Sequence, residues 1–228
     1  MTPWERSARP VFAAAPARRT RAVWRSLLRS DRGSVAVEFV VIVPLMLLVL
    51  LGFTELYLYM RAVSLVEHTA FTLADSIGQM TQVVDDSSTT SSNNLGAIWN
   101  AATLVAAPNA LAARGGVVIT SICEQSSSCG GLVSSPSKAP GVAKILWQKR
   151  APWNGSTLST HITSSNILPS TWPFRNGDSA VTIEVFYTYT PFSMTAPFWQ
   201  NAPGTQTIYE RVIVRPRTGQ ALTLQTAS

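Results

Sequence analysis

The sequence predicts an α+β protein, a long N-terminal transmembrane helix continuing into a small exported domain built on an antiparallel sheet. Three observations lead there. Residues 34–54 form an apolar run of 21 residues carrying one charge, Glu38. A stripe of apolar residues at spacings of three and four continues the helical pattern beyond that run. Four short segments rich in β-branched and aromatic residues then follow, joined by loops, and that pattern favours an antiparallel sheet.

Residues 1–33 come first and are basic. They hold eight arginines against Glu5 and Asp31, which accounts for the whole-chain net charge of +6 and leaves residues 34–228 neutral overall. The sequence pI of about 9.8 is therefore a property of the leader. A nucleic-acid footprint is a basic face on a folded domain, so no nucleic-acid partner is expected. Residues 1–28 lack sustained apolar periodicity and read as disordered.

The apolar run Ser34–Thr54 rises about 31 Å as a helix, close to the thickness of a hydrocarbon core. Arginines cluster before it, so the positive-inside rule places the N-terminus in the cytoplasm and the body outside. The expectation is a single-pass inner-membrane protein with a periplasmic or extracytoplasmic domain. A secretory signal would end in a small-x-small site, but here the run continues into Gly52-Phe53-Thr54-Glu55. The Arg18-Arg19 pair lies too far ahead of the run to suit twin-arginine export. Pro44 removes one helical hydrogen bond and is expected to kink the span.

Leu56, Tyr59, Val63, Val66, Ala70, Leu73, Ile77, Met80 and Val84 continue as a heptad stripe, predicting one helix from Ser34 to Val84, about 75 Å in length. Residues 55–84 are thus a helical extension and 85–228 the exported head. In the head, Asp85–Asn94 is a polar loop and Leu95–Arg114 an Ala-rich helix split by Pro108. Strands are predicted at Val117–Cys123, Val142–Gln148, Val181–Tyr189 and Thr207–Arg215. In the third, Val181, Ile183, Val185, Tyr187 and Tyr189 share one face. Thr182, Glu184 and Thr188 mark the other, interrupted by Phe186. Residues 150–177 read as loop.

The residues with chemical potential are few. Cys123 and Cys129 enclose five residues. In an oxidising compartment they suit a structural disulfide, with two unpaired thiols as the alternative; a metal or redox site fits less well, because the spacing is not Cys-x-x-Cys and no histidine is near. His68, with Glu67 and Asp75, reads as a solvated helix face. His161, with Ser159 and Asp178, has no spacing that recommends catalysis. No hydrolase, zincin or phosphate-loop motif appears. No enzyme activity, metal or cofactor is expected. Trp147, Trp153, Trp172, Phe174, Phe198 and Trp199 lie in or near Pro-containing loops. Exposed, they would suit adhesion; burial as core anchors is the stronger expectation for a small domain.

Glu38 remains. A carboxylate in a membrane helix costs roughly 2.5–3.5 kcal/mol at the bilayer centre and less near an interface, so its place calls for a reason. Asp31-Arg32-Gly33 supplies a polar flank and a small residue immediately before the apolar run. Cleavage after Gly33 would make Ser34 the N-terminus and Glu38 its fifth residue, able to pair with that amine or a neighbour's. The alternative is that Glu38 snorkels or is protonated.

Gly33-Ser34-Val35-Ala36-Val37-Glu38-Phe39, the Pro44-containing run and the continuing helix resemble the TadE-like pseudopilins, minor pilins of tight-adherence pilus systems. Ile145–Gln148, Val181–Pro191 and Tyr209–Arg215 are similar to that family's β-rich part. The resemblance implies a pilin-like fold and processing between Gly33 and Ser34 by a prepilin peptidase. It also implies partnership with other pilins or pseudopilins and the pilus assembly machinery, and a structural role in surface attachment. The competing reading is an uncleaved membrane-anchored protein whose outer domain binds other envelope components.

Overall fold

The computed structural model describes residues 31–125, 129, 139–155 and 158–227; the expectation of disorder over residues 1–28 lies outside them. The chain divides into two compact units, Met1–Leu51 and Gly52–Ser228, with the division falling inside helix α1 (Asp31–Gly78).

In the first unit the described element is the N-terminal part of α1, which continues through Pro44. Its large apolar side chains, among them Val37, Phe39, Val40, Leu45, Leu47 and Leu50, are exposed. The helix is long and apolar enough to cross a membrane: its most apolar 18-residue window has a mean hydropathy of 2.5 and none of it is buried. Water would oppose such a surface, and lipid would accept it.

The second unit is α+β. After α1 come β1 (Gln82–Asp85), α2 (Leu95–Val105), α3 (Leu111–Arg114), β2 (Gly115–Glu124), β3 (Ala143–Arg150), β4 (Ser179–Tyr189), a 3-10 turn (Ala196–Phe198), β5 (Gln206–Val214) and β6 (Thr223–Thr226). Four of the strands form one antiparallel sheet in the order β3-β2-β4-β5. The four expected strands are those four, with no end shifted by more than two residues.

Two expectations about the helix need correction. It stops at Gly78 instead of continuing to Val84, so the 55–84 extension is helical only as far as Gly78. Val83 and Val84 belong to β1, which pairs in parallel with β6. β-Branched neighbours favour the pleated state, and the partner strand lies some 140 residues further along the chain.

Ala62, Val66, Ala70, Leu73, Ala74 and Ile77 of α1 are buried against Val117, Ile119, Val181, Ile183, Val185, Ile208 and Val212 of the sheet. The alanines leave room for the sheet to approach the helix, and each fully buried Val, Leu or Ile adds about 1.5–3 kcal/mol. Leu95, Ile98, Trp99 and Ala102 of α2 close the same core. The seam of α1 is thus covered by its own domain from Ala62 onward, while Leu56 stays exposed. Of the polar tract expected as loop, Asp85 ends β1 and residues 86–94 form an ordered loop. Asp86 accepts from the amide and hydroxyl of Ser88 and from Asn94 Nδ2, and the Ser88 hydroxyl and then its amide hold Asp86 below the usual carboxylate range. Gly96 lies under this loop, where a Cβ would sit 2.0 Å from the Ser87 carbonyl oxygen.

The second face of β4 departs from the alternation rule. Thr182, Glu184 and Phe186 are as buried as their neighbours, because residues 158–167, which lack regular structure, fold over this face, with Thr160 and His161 bonded to Glu184. Polar residues there mark a covered face.

Candidate functional site along the N-terminal helix

Gly33 and Ser34 lie in the backbone of α1, and Glu38 is exposed on it, one turn past Ser34. The carboxylate thus stands on the same exposed stretch of helix as Val37, Phe39 and Val40. Pro44 follows within the same helix.

The second carboxylate of the helix was passed over in the sequence. Glu55, just after the apolar run, is only 3% exposed. Its carboxylate accepts from the backbone N–H of Met194 at 2.5 Å, from that of Thr195 at 3.2 Å, and from the Thr195 hydroxyl. Charge-assisted bonds of this type are roughly twice as strong as neutral ones. Thr195 has no sequence signal marking it as a partner, since 140 residues separate the two.

The contact follows from the direction of the sheet. The Gly78 carbonyl, at the C-terminal end of α1, accepts from the Arg217 N–H at 2.8 Å, just beyond β5. The Tyr59 ring meets Tyr189, at the far end of β4, with centroids 5.8 Å apart. Val214 pairs with Val181 at the start of β4. Hence β4 runs back along α1, and the β4–β5 loop arrives beside residue 55. Burial, then the Glu55 charge, pushes the Tyr189 hydroxyl pKa up.

Another buried carboxylate, Glu184 of β4, is completely enclosed. It accepts from His161 N–H at 2.9 Å, from the Tyr209 hydroxyl at 2.9 Å and from the Thr160 hydroxyl. The His161 ring packs at a tilt against Tyr209, centroids 4.2 Å apart, and meets Phe186 edge-on at 5.5 Å. Asp178 is engaged elsewhere, by Arg215 at 3.0 Å and the Arg175 N–H at 3.0 Å. The structure thus uses His161 and Asp178 to fasten the covering loop at separate points.

Burial and then the hydrogen bond to Glu184 raise the Tyr209 pKa well above its usual value of 10.0. A raised folded-state pKa means stability that is complete below the unfolded value and lost as pH climbs through the folded one. Unfolding followed by near-ultraviolet circular dichroism should therefore show falling stability above about pH 10. Tyr209→Phe should flatten that part of the profile.

Asp75 on α1 pairs with Arg217 at 2.6 Å, both side chains being exposed, which contributes little. His68 is exposed on the same helix. Cys123 and Cys129 are joined as a disulfide with Cα atoms 5.2 Å apart. Among the described residues no cluster of His, Cys, Asp or Glu could hold a metal ion. The aromatics divide. Trp147 and Trp153 pack against the core, and Trp147 Nε1 donates to the Leu222 carbonyl at 2.7 Å. Phe198 and Trp199, expected to be buried, are 67% and 44% exposed. They sit in the β4–β5 loop beyond the sheet's last hydrogen bonds, where no layer covers them.

Residues 33–75 match the family described as TadE-like protein. This segment contains the Gly33–Ser34 junction, Glu38, Pro44 and Glu55, and it ends within the part of α1 that packs on the sheet. The match thus covers the N-terminal part of the chain and includes the motif read from the sequence. No curated protein and no solved structure matches the chain.

Proposed function

We propose that this chain is a minor pilin or pseudopilin of a tight-adherence (Flp-type) pilus, a structural component of pilus assembly and surface attachment. The observation that carries the reading is the TadE-like match over residues 33–75, centred on a helix whose apolar side chains stand exposed. In this reading residues 1–33 are a cytoplasmic leader, removed by a prepilin peptidase between Gly33 and Ser34. The helix remains in the inner membrane, with residues 85–228 on its outer side. Glu38 neutralises the new α-amine of Ser34, its own or a neighbouring subunit's, and so sets the register in which helices pack. Pro44 bends the span and lets it adjust to those neighbours. The disulfide suits an oxidising compartment.

The test is the N-terminal sequence and intact mass of the membrane-bound protein, with and without the peptidase. The expected result is a peptidase-dependent chain beginning at Ser34. A chain that keeps Arg32-Gly33 under both conditions overturns the pseudopilin reading and leaves an uncleaved anchored protein.

A further inference from the structure

The loop that holds Glu55 has an unusual composition. Residues 190–205 read Thr-Pro-Phe-Ser-Met-Thr-Ala-Pro-Phe-Trp-Gln-Asn-Ala-Pro-Gly-Thr, without a single charged side chain. Met194, Phe198 and Trp199 are exposed, and the Trp199 ring is set edge-on against Phe192 at 5.2 Å, which braces it. A loop at the tip of a soluble domain ordinarily carries charge, so an uncharged tip with three large apolar groups calls for an apolar surrounding.

The position supplies one. Met194 and Thr195 are bonded to Glu55, the residue immediately after the apolar run Ser34–Thr54. The loop is therefore held at the level where the helix would leave the hydrocarbon. On the helix itself Phe53 and Tyr57 are exposed at this level, and aromatic residues concentrate at the headgroup layer. Large apolar and aromatic groups thus stand exposed on both the helix and the loop at this level. The Glu55 clamp also removes the cost of a bare carboxylate at this depth, since three donors satisfy it.

We propose that the 190–205 loop is a second membrane contact: Met194, Phe198 and Trp199 enter the outer headgroup layer of the phospholipid bilayer beside the exit point of α1. The domain then rests on the membrane at two points, the helix and the loop, with Glu55 locking them together. The proposal depends on α1 spanning the bilayer and is independent of leader processing.

The experiment uses the full chain, one copy per lipid nanodisc, with and without phosphatidylcholine bearing bromines near the headgroup end of its acyl chains. Trp199→Phe keeps the packing on Phe192 and removes the indole, so its difference from the wild type isolates Trp199 emission. Leu47→Trp reports on the span. The expected result is that bromines quench both, Trp199 by about two-fold, as for a group 5–10 Å inside the boundary. A quenched Leu47→Trp with an unquenched Trp199 overturns the proposal and leaves the span standing; the patch would then face a protein neighbour. An unquenched Leu47→Trp removes the span and the proposal together. Glu55→Gln should lower Trp199 quenching while Leu47→Trp stays quenched; an unchanged signal overturns Glu55 as the lock.

Discussion

Glu38→Ala will leave the chain inserted and processed, while its assembly into surface material falls by about ten-fold or more, as expected when a low-dielectric ion pair loses one partner. Insertion cannot account for such a loss, because removing a carboxylate makes the span more apolar by roughly 2.5–3.5 kcal/mol at most. Processing should also persist, since the Gly33–Ser34 junction is intact. In the proposed reading, what disappears is the acceptor for the α-amine of Ser34, which leaves that positive charge uncompensated where helices would meet. The measurement compares the sheared surface fraction with the membrane fraction in cells carrying the pilus system, alongside the N-terminal sequence. Surface assembly at the wild-type level would strip Glu38 of this role. A retained leader would show that Glu38 acts on the peptidase instead.

The second large effect is expected at Glu184, in the covered face of the sheet. Glu184→Ala leaves the Thr160 and Tyr209 hydroxyls and the His161 N–H without their acceptor in an enclosed space. Each such group costs about 1–3 kcal/mol, and with partial relaxation the total should be about 3–5 kcal/mol. Denaturant unfolding of the full chain in detergent, read by tryptophan emission, measures it. Glu184→Gln should recover part of the loss, because the amide oxygen still accepts while its NH2 faces donors. A loss below about 1 kcal/mol would mean that water reaches the carboxylate and that residues 158–167 do not seal the sheet.

Much of this was legible in the residues. The four strands of the sheet were recognisable because β-branched and aromatic residues gather between clear turn signals. The helix and its motif were legible because one misplaced charge in an apolar run stands out. The overlooked features all depend on partners distant in sequence. Glu55 looks like the first polar residue after a span until Thr195 is brought to it. Val83 and Val84 extend the helical stripe well enough that only the strand at 223–226 reveals their other use. Glu184 and Thr182 look solvent-facing by alternation, and only the covering loop makes them interior. Phe198 and Trp199 were expected inside on the argument that a small core needs bulk. Val66, Leu73, Ile77 and the β4 face supply that bulk, which leaves these two free to sit outside.

The pairing of β1 with β6 sets an order of events in time. Gln82–Asp85 emerges directly behind the helix, yet its partner Thr223–Thr226 comes some 140 residues later. Leu222, fully buried, accepts through its carbonyl from Ser121 and Trp147, so β2 and β3 await the same segment. In the proposed topology, a chain threaded outward from its anchor cannot close this domain until residue 226 has crossed. Until then it would be an open strand on the outer side of the membrane, within reach of chaperones and proteases. In that topology, completion of export is the step that commits the domain to fold.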